Sequence, residues 1–214
     1  MAYKGLKAIL DETNRRQQAS ASAVPWLKLE EGKVVKIRFI NELDADSPAY
    51  DPARGLAVAV DEHVDPNDFR RKIACTKDEL GRCWACEQAQ RDPKGRWYSK
   101  MRFYINVLVD DGKQPPHVAV WSMATRRSAT FDTIKEYYFE AGQLSQTTWR
   151  LKKSGSGTDT VYSLLPLGAD SVPFDWTGIE PFDLDNIVKT LPYEEQEAYF
   201  GVAKPEEAVD GEAW

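Results

Sequence analysis

The chain has 214 residues, 42% of them hydrophobic and 29% charged, with a formal net charge of −6. That composition suits one medium soluble domain with appendages, which at this length needs no disulfides to fold. No uncharged apolar run approaches the ~18 residues of a membrane-spanning helix, and the start MAYKGLKAIL has no apolar signal region, so an intracellular protein is expected.

Residues 1–25 read as a basic N-terminal arm, a short helix followed by the small, polar linker 17–22. Strands follow. Within Val34–Ile40, Val35, Ile37 and Phe39 alternate with Lys36 and Arg38, giving an apolar face and a basic one. Leu56–Val60 is a short buried run, and Met101–Val109 alternates again. Phe103, Ile105, Val107 and Val109 take its core face, and Arg102, Tyr104 and Asn106 take the other. Val118–Met123, Thr147–Lys153 and Thr160–Leu167 complete five or six strands, with turn signals at Asp111-Gly112 and 154–157. One clear helix spans Ser128 to Ala141, with Phe131, Ile134 and Tyr138 as its core stripe and Gly142 as its stop. A second helix is expected within 183–200. Short strands interrupted by one helix predict a mainly β (α+β) fold, an OB-type barrel over residues 26–170.

The three cysteines fall within twelve residues, as Cys75, Cys83 and Cys86, and His63 precedes them. The order H-x11-C-x7-C-x2-C offers one imidazole and three thiolates, the set of a closed structural zinc site. We expect one structural Zn2+ in a subdomain at about residues 61–95. Four protein ligands leave no open position for a hydrolytic water, which favours a non-enzymatic protein. The alternatives are reduced buried cysteines, disfavoured by the polar surroundings, and a redox CxxC, which leaves Cys75 unexplained.

Basic and aromatic residues interleave through the body. The segments are Arg70-Arg71-Lys72, Arg96 to Tyr104, Trp121 with Arg126-Arg127, and Trp149 to Lys153 followed by Tyr162. Cations along the phosphates and aromatic faces under the bases are what sequence-independent binding of single strands requires. Aromatics on strands are also ordinary core residues, Phe103, Phe131 and Trp149 foremost. The charge is divided to match: residues 1–170 hold 26 basic against 23 acidic side chains, and residues 171–214 hold 2 against 11. The acidic C-terminal segment 171–214 ends in Glu206, Glu207, Asp210, Glu212 and Trp214, a pattern suited to docking on a protein partner.

Together these segments resemble the T-even-type phage single-stranded-DNA-binding, helix-destabilising replication proteins. The resemblance runs over residues 24–167. It takes in Trp26-Leu-Lys-Leu, Val35 to Ile40, His63 with the three cysteines, Lys100 to Val109, Trp121, the 128–141 helix and Trp149 to Leu165. It implies an OB-fold core with an inserted zinc subdomain, flexible terminal arms, and a cytoplasmic location in an infected bacterial host. The acidic arm would recruit replication or recombination proteins. The DNA-contacting residues would be Tyr98, Lys100, Arg102, Phe103, Tyr104, Trp121, Arg126 and Arg127. The basic and aromatic segments add Lys36, Arg38, Arg70, Arg71, Lys72, Lys152 and Tyr162. For Phe103 the alternation argues core and the resemblance argues contact. The family's compact basic-plus-Ser/Thr motif is missing from the N-terminal arm, so only weak self-association on DNA is expected. Two rival classes stand beside this reading. One is a zinc-stabilised protein-interaction module of the replication machinery without DNA binding. The other is an enzyme using Asp61, Glu62, Asp65 and Asp68 to hold Mg2+.

Overall fold

The computed structural model describes residues 24–112, 115–169 and 173–201. In chain order these form β1 (Val34–Phe39), β2 (Val58–Val64), β3 (Lys72–Ala74), α1 (Lys77–Leu80), α2 (Trp84–Arg91), β4 (Lys100–Asp110), β5 (His117–Ala124), α3 (Ala129–Ala141), β6 (Thr147–Ser154), β7 (Val161–Ala169) and α4 (Tyr193–Phe200). The basic arm expected over 1–25 and the acidic tail residues Glu206, Glu207, Asp210, Glu212 and Trp214 lie outside the described residues, apart from Val24 and Pro25. No helix among the described residues is long and apolar enough to cross a membrane.

The fold is mainly β: seven antiparallel strands run in the order β3-β2-β4-β1-β6-β7, with β5 added to β4. The long strand β4 organises the sheet. Its first half pairs with β2 (Val58 opposite Tyr104), its second half with β1 (Phe39 opposite Val107), and its other edge with β5 (Ile105 opposite Trp121). Among the described residues no ladder joins β5 to β7, so the sheet is not closed by hydrogen bonds. Helix α3 spans that opening. Thr130 Oγ1 donates to the Tyr162 carbonyl at 2.9 Å, and Phe131 packs on Phe103 with ring centroids 5.1 Å apart.

Local chemistry explains the elements. The alternation of β1 and β4 puts Val35, Ile37, Phe39, Phe103, Ile105 and Val107 into one core with Trp121, Ile134, Trp149 and Leu151. Ser128 caps α3 by accepting the Phe131 N–H at 3.2 Å, and Gly142 ends it at φ 71°, a conformation only glycine adopts without strain.

Two expectations need correction here. Strand β4 is buried on both faces, because Tyr104 (0% exposed) enters a second core with Val120, Leu184, Ile187 and Val188. The acidic segment placed outside the core from residue 171, with its expected helix within 183–200, is therefore part of the body from Phe182 to Phe200, and its helix is α4. Its carboxylates face solvent, while Leu184, Ile187, Val188, Leu191 and Phe200 are all buried. Burying five such side chains contributes several kcal/mol, which outweighs the tendency of an acidic segment to stay solvated.

Candidate functional site

The β2–β3 hairpin and helix α2 gather the four predicted ligands. His63 sits on β2 opposite Ile73, Cys75 follows directly after β3, Cys83 is the N-cap of α2, and Cys86 lies in its first turn. The Cys75 N–H donates to the Asp61 carbonyl at 2.7 Å, which fixes the chain as it leaves the hairpin. The four ligand atoms all lie within 4.8 Å of one another, with Cys75 Sγ 3.5 Å and His63 Nε2 3.3 Å from Cys86 Sγ. A tetrahedral site with metal–sulfur bonds of about 2.3 Å needs sulfurs about 3.8 Å apart. The group can hold a metal ion.

The imidazole is prepared for that role. His63 Nδ1 lies 2.6 Å from the Trp97 carbonyl oxygen. A carbonyl only accepts, so Nδ1 carries the proton and Nε2 presents its lone pair to the sulfurs. For Cys83, burial pushes the thiol up, but the neighbouring His63 and backbone N–H groups bring it down to about 6. Burial raises Cys75 and Cys86. A thiolate at the start of a helix is also favoured by the helix dipole.

The predicted nucleic-acid residues other than Lys72 fall into four groups. Arg102, Arg127 and Tyr162 line one cleft of about 550 Å³ at the opening between β5 and β7, beside the N-terminus of α3. Arg127 is held at φ 54° and is exposed, as is neighbouring Arg126. Lys36 and Lys152 are exposed on a different surface, the outer face of β1–β6–β7, where cross-strand register sets them with Arg150, Val34 and Leu165. Arg70, Arg71, Tyr98 and Lys100 are exposed near the metal ligands; Arg71 donates to the Phe200 carbonyl and Tyr98 Oη to the Pro93 carbonyl.

The fourth group is a correction. Phe103, Tyr104 and Trp121 are 6%, 0% and 3% exposed, so none offers a face to a base in this structure. Phe103 obeys its strand alternation and packs against α3; Trp121 packs edge-on against Tyr162; Tyr104 is covered by the 182–188 segment. Arg38 is likewise structural: it donates to Thr148 Oγ1 at 2.6 Å, and its guanidinium lies 4.3 Å from the Phe174 ring centroid.

Lys72 is half-buried in an ionic network that the sequence left unmarked. Buried Glu62 accepts from Tyr104 Oη and pairs with Lys72 at 3.4 Å and Arg102 at 3.5 Å. Burial lowers the Lys72 pKa, against the raising influence of Glu62. Three of the four carboxylates considered for Mg2+ are thus otherwise engaged. Glu62 holds this network, and Asp65 and Asp68 accept backbone N–H groups of their own loop. Among the described residues His63, Cys75, Cys83 and Cys86 form the one metal-competent group. Replacing Glu62 with Gln leaves Lys72 an uncompensated, half-buried cation. Urea denaturation should show a loss of about 2–3 kcal/mol, below the usual cost for a fully buried pair because both cations reach solvent.

Comparison with protein-family models, with curated proteins and with solved structures finds no match to this chain.

Proposed function

We propose that this chain is a zinc-containing, OB-type protein that coats single-stranded DNA without sequence preference during phage replication, recombination or repair, and that it is not an enzyme. The observation that carries the reading is the convergence of Arg102, Arg127 and Tyr162 on the cleft at the β5–β7 opening. Two guanidinium groups beside a helix N-terminus favour phosphate, and a half-buried tyrosine offers an edge or face to a base. Arg102 keeps part of its side chain accessible while bound to Glu62 and Ser122. The coiled sheet with α3 across its gap supports the small-barrel reading.

Zinc is the metal that best suits three thiolates and one imidazole with no place for water. Bound there, it would tie β2, β3 and α2 together and order the exposed cations Arg70, Arg71 and Lys100 around it. The ion's contribution is structural.

Photo-crosslinking to an oligo-dT bearing a reactive base tests the assignment. Crosslinked peptides should map to residues 122–130 and 160–163. Crosslinks confined to the Lys36/Lys152 face, or absent, would remove the cleft from the account. The acidic residues Glu206, Glu207, Asp210 and Glu212 should compete with phosphate for this cationic surface. Deleting 206–214 is then expected to tighten oligo-dT binding at low salt, with the effect fading above ~0.3 M as screening removes the competition.

A second reading has its own support. Three of the five aromatic candidates are buried, and the outer β1–β6–β7 face mixes cations with exposed Val34, Leu165 and Leu167, as a protein-docking surface would. In that reading the chain is a zinc-stabilised interaction module, and oligo-dT does not bind.

A further inference from the structure

Helix α4 (Tyr193–Phe200) belongs to none of the predicted sites, yet it is built into the metal centre. Gln196 is fully buried, in a helix whose sequence, YEEQEAYF, otherwise reads as an acidic surface. Its amide makes every bond it can. Oε1 accepts the Trp84 N–H at 3.0 Å and lies 3.5 Å from Cys83 Sγ. Nε2 donates to Thr76 Oγ1 at 3.0 Å and to the Leu191 carbonyl at 2.9 Å. Thr76 Oγ1 in turn donates to the Arg82 carbonyl at 2.8 Å, which closes the loop between Cys75 and Cys83.

The far end of the same helix reaches the other side of the site. Phe200 packs edge-on against Trp97, centroids 5.0 Å apart, and stacks on Trp84 at 5.9 Å. Trp97 is the residue whose carbonyl sets the His63 tautomer. At the first residue of the helix, Tyr193 Oη donates to Glu87 at 2.8 Å, and Arg82 lies over the Tyr193 ring. One eight-residue helix therefore supports Cys83 through Gln196 and His63 through Phe200 and Trp97.

We propose that docking of helix α4 and metal binding are one coupled equilibrium, with Gln196 as the positioning residue that joins them. The proposal rests on the reading of His63, Cys75, Cys83 and Cys86 as a metal centre. Its logic is reciprocity: if the docked helix raises the affinity for metal, bound metal must hold the helix docked by the same factor. Groups that orient metal ligands commonly change affinity by about 10–100-fold when removed. The helix follows in the chain the 182–188 segment that covers Tyr104, so undocking it on loss of metal would loosen the cover of β4 as well.

The test uses the full chain. Zinc affinity is measured by competition with a chromophoric chelator for the wild type, Gln196→Ala and Gln196→Glu. Hydrogen exchange is followed in the wild type before and after zinc removal. We expect about 10–100-fold weaker zinc binding for Gln196→Ala, and at least as large a loss for Gln196→Glu, which sets a buried carboxylate against the Leu191 carbonyl and Cys83 Sγ. Amide exchange over 193–200 should rise on zinc removal while β6 stays protected. The wild-type exchange measurement stands even if a variant fails to fold. One zinc per chain with unchanged exchange over 193–200 on its removal, and equal affinity in the variants, would overturn the coupling and leave the metal centre standing. No zinc bound by the wild type would overturn both.

Discussion

Stripping the metal, or replacing Cys86 with Ser, is expected to lower the melting temperature by roughly 8–16 °C. An ion that binds the folded chain at a thousandfold excess over its dissociation constant stabilises it by about 4 kcal/mol. For a domain of this size each kcal/mol shifts the midpoint by about 2–4 °C. The effect should be large because an ion held there would sit against a compact core of Ile73, Cys83, Trp84, Ala85, Leu191 and Phe200. Without it, a small cluster enclosing four ligand atoms must hold β2, β3, α2 and α4 together by packing alone. Differential scanning calorimetry with and without chelator measures this directly. A midpoint unmoved after verified metal removal would reduce the four residues to a packed group of side chains.

The second large effect concerns the cleft. Replacing both Arg102 and Arg127 with Gln is expected to weaken oligo-dT binding about 10–100-fold at moderate salt. It should also flatten the dependence of log K on log salt by about 1.4, since each lost phosphate contact on a single strand removes about 0.7. Arg127→Gln alone is the cleaner member of the pair. Arg127 has no ion-pair partner among the described residues, whereas Arg102 also balances Glu62. The comparison that decides between surfaces is Lys36→Gln with Lys152→Gln on the outer β1–β6–β7 face. We expect that pair to change affinity no more than about threefold, the residue of a long-range charge effect. The opposite ranking would move the DNA path to the outer face.

The sequence made the metal set legible because its chemistry is local: two thiols in one helical turn, a third eight residues earlier, and one histidine on the preceding strand. The strand over 34–39 was legible for a related reason, since a face buried against one core leaves a period of two. Strand β4 was harder. Its second face is covered by Leu184, Ile187 and Val188, some eighty residues further on, so alternation placed Tyr104 on an open surface where the structure has it fully buried. Those same apolar residues were hidden by the acidic count of the C-terminal segment. Strand β3 and helix α2 are too short for periodicity to register. Gln196 carried one faint signal: it shares a helical face with Phe200 four residues on, which sets a polar side chain in an apolar stripe. Glu62 carried none, because its partners Lys72, Arg102 and Tyr104 meet only through the pairing of β2 with β3 and β4. Trp121 and Phe103 show the general difficulty: an aromatic beside a cation reads the same whether it stacks on a base or closes a core.

The most direct test of single-strand binding is a fluorescence-anisotropy titration of labelled oligo-dT with the full-length protein at two salt concentrations, with unlabelled duplex as competitor. The account predicts saturable binding that weakens steeply as salt rises and that duplex displaces poorly. No anisotropy change at either salt, with the protein shown to be folded and metal-loaded, would contradict it and leave the interaction-module reading in its place.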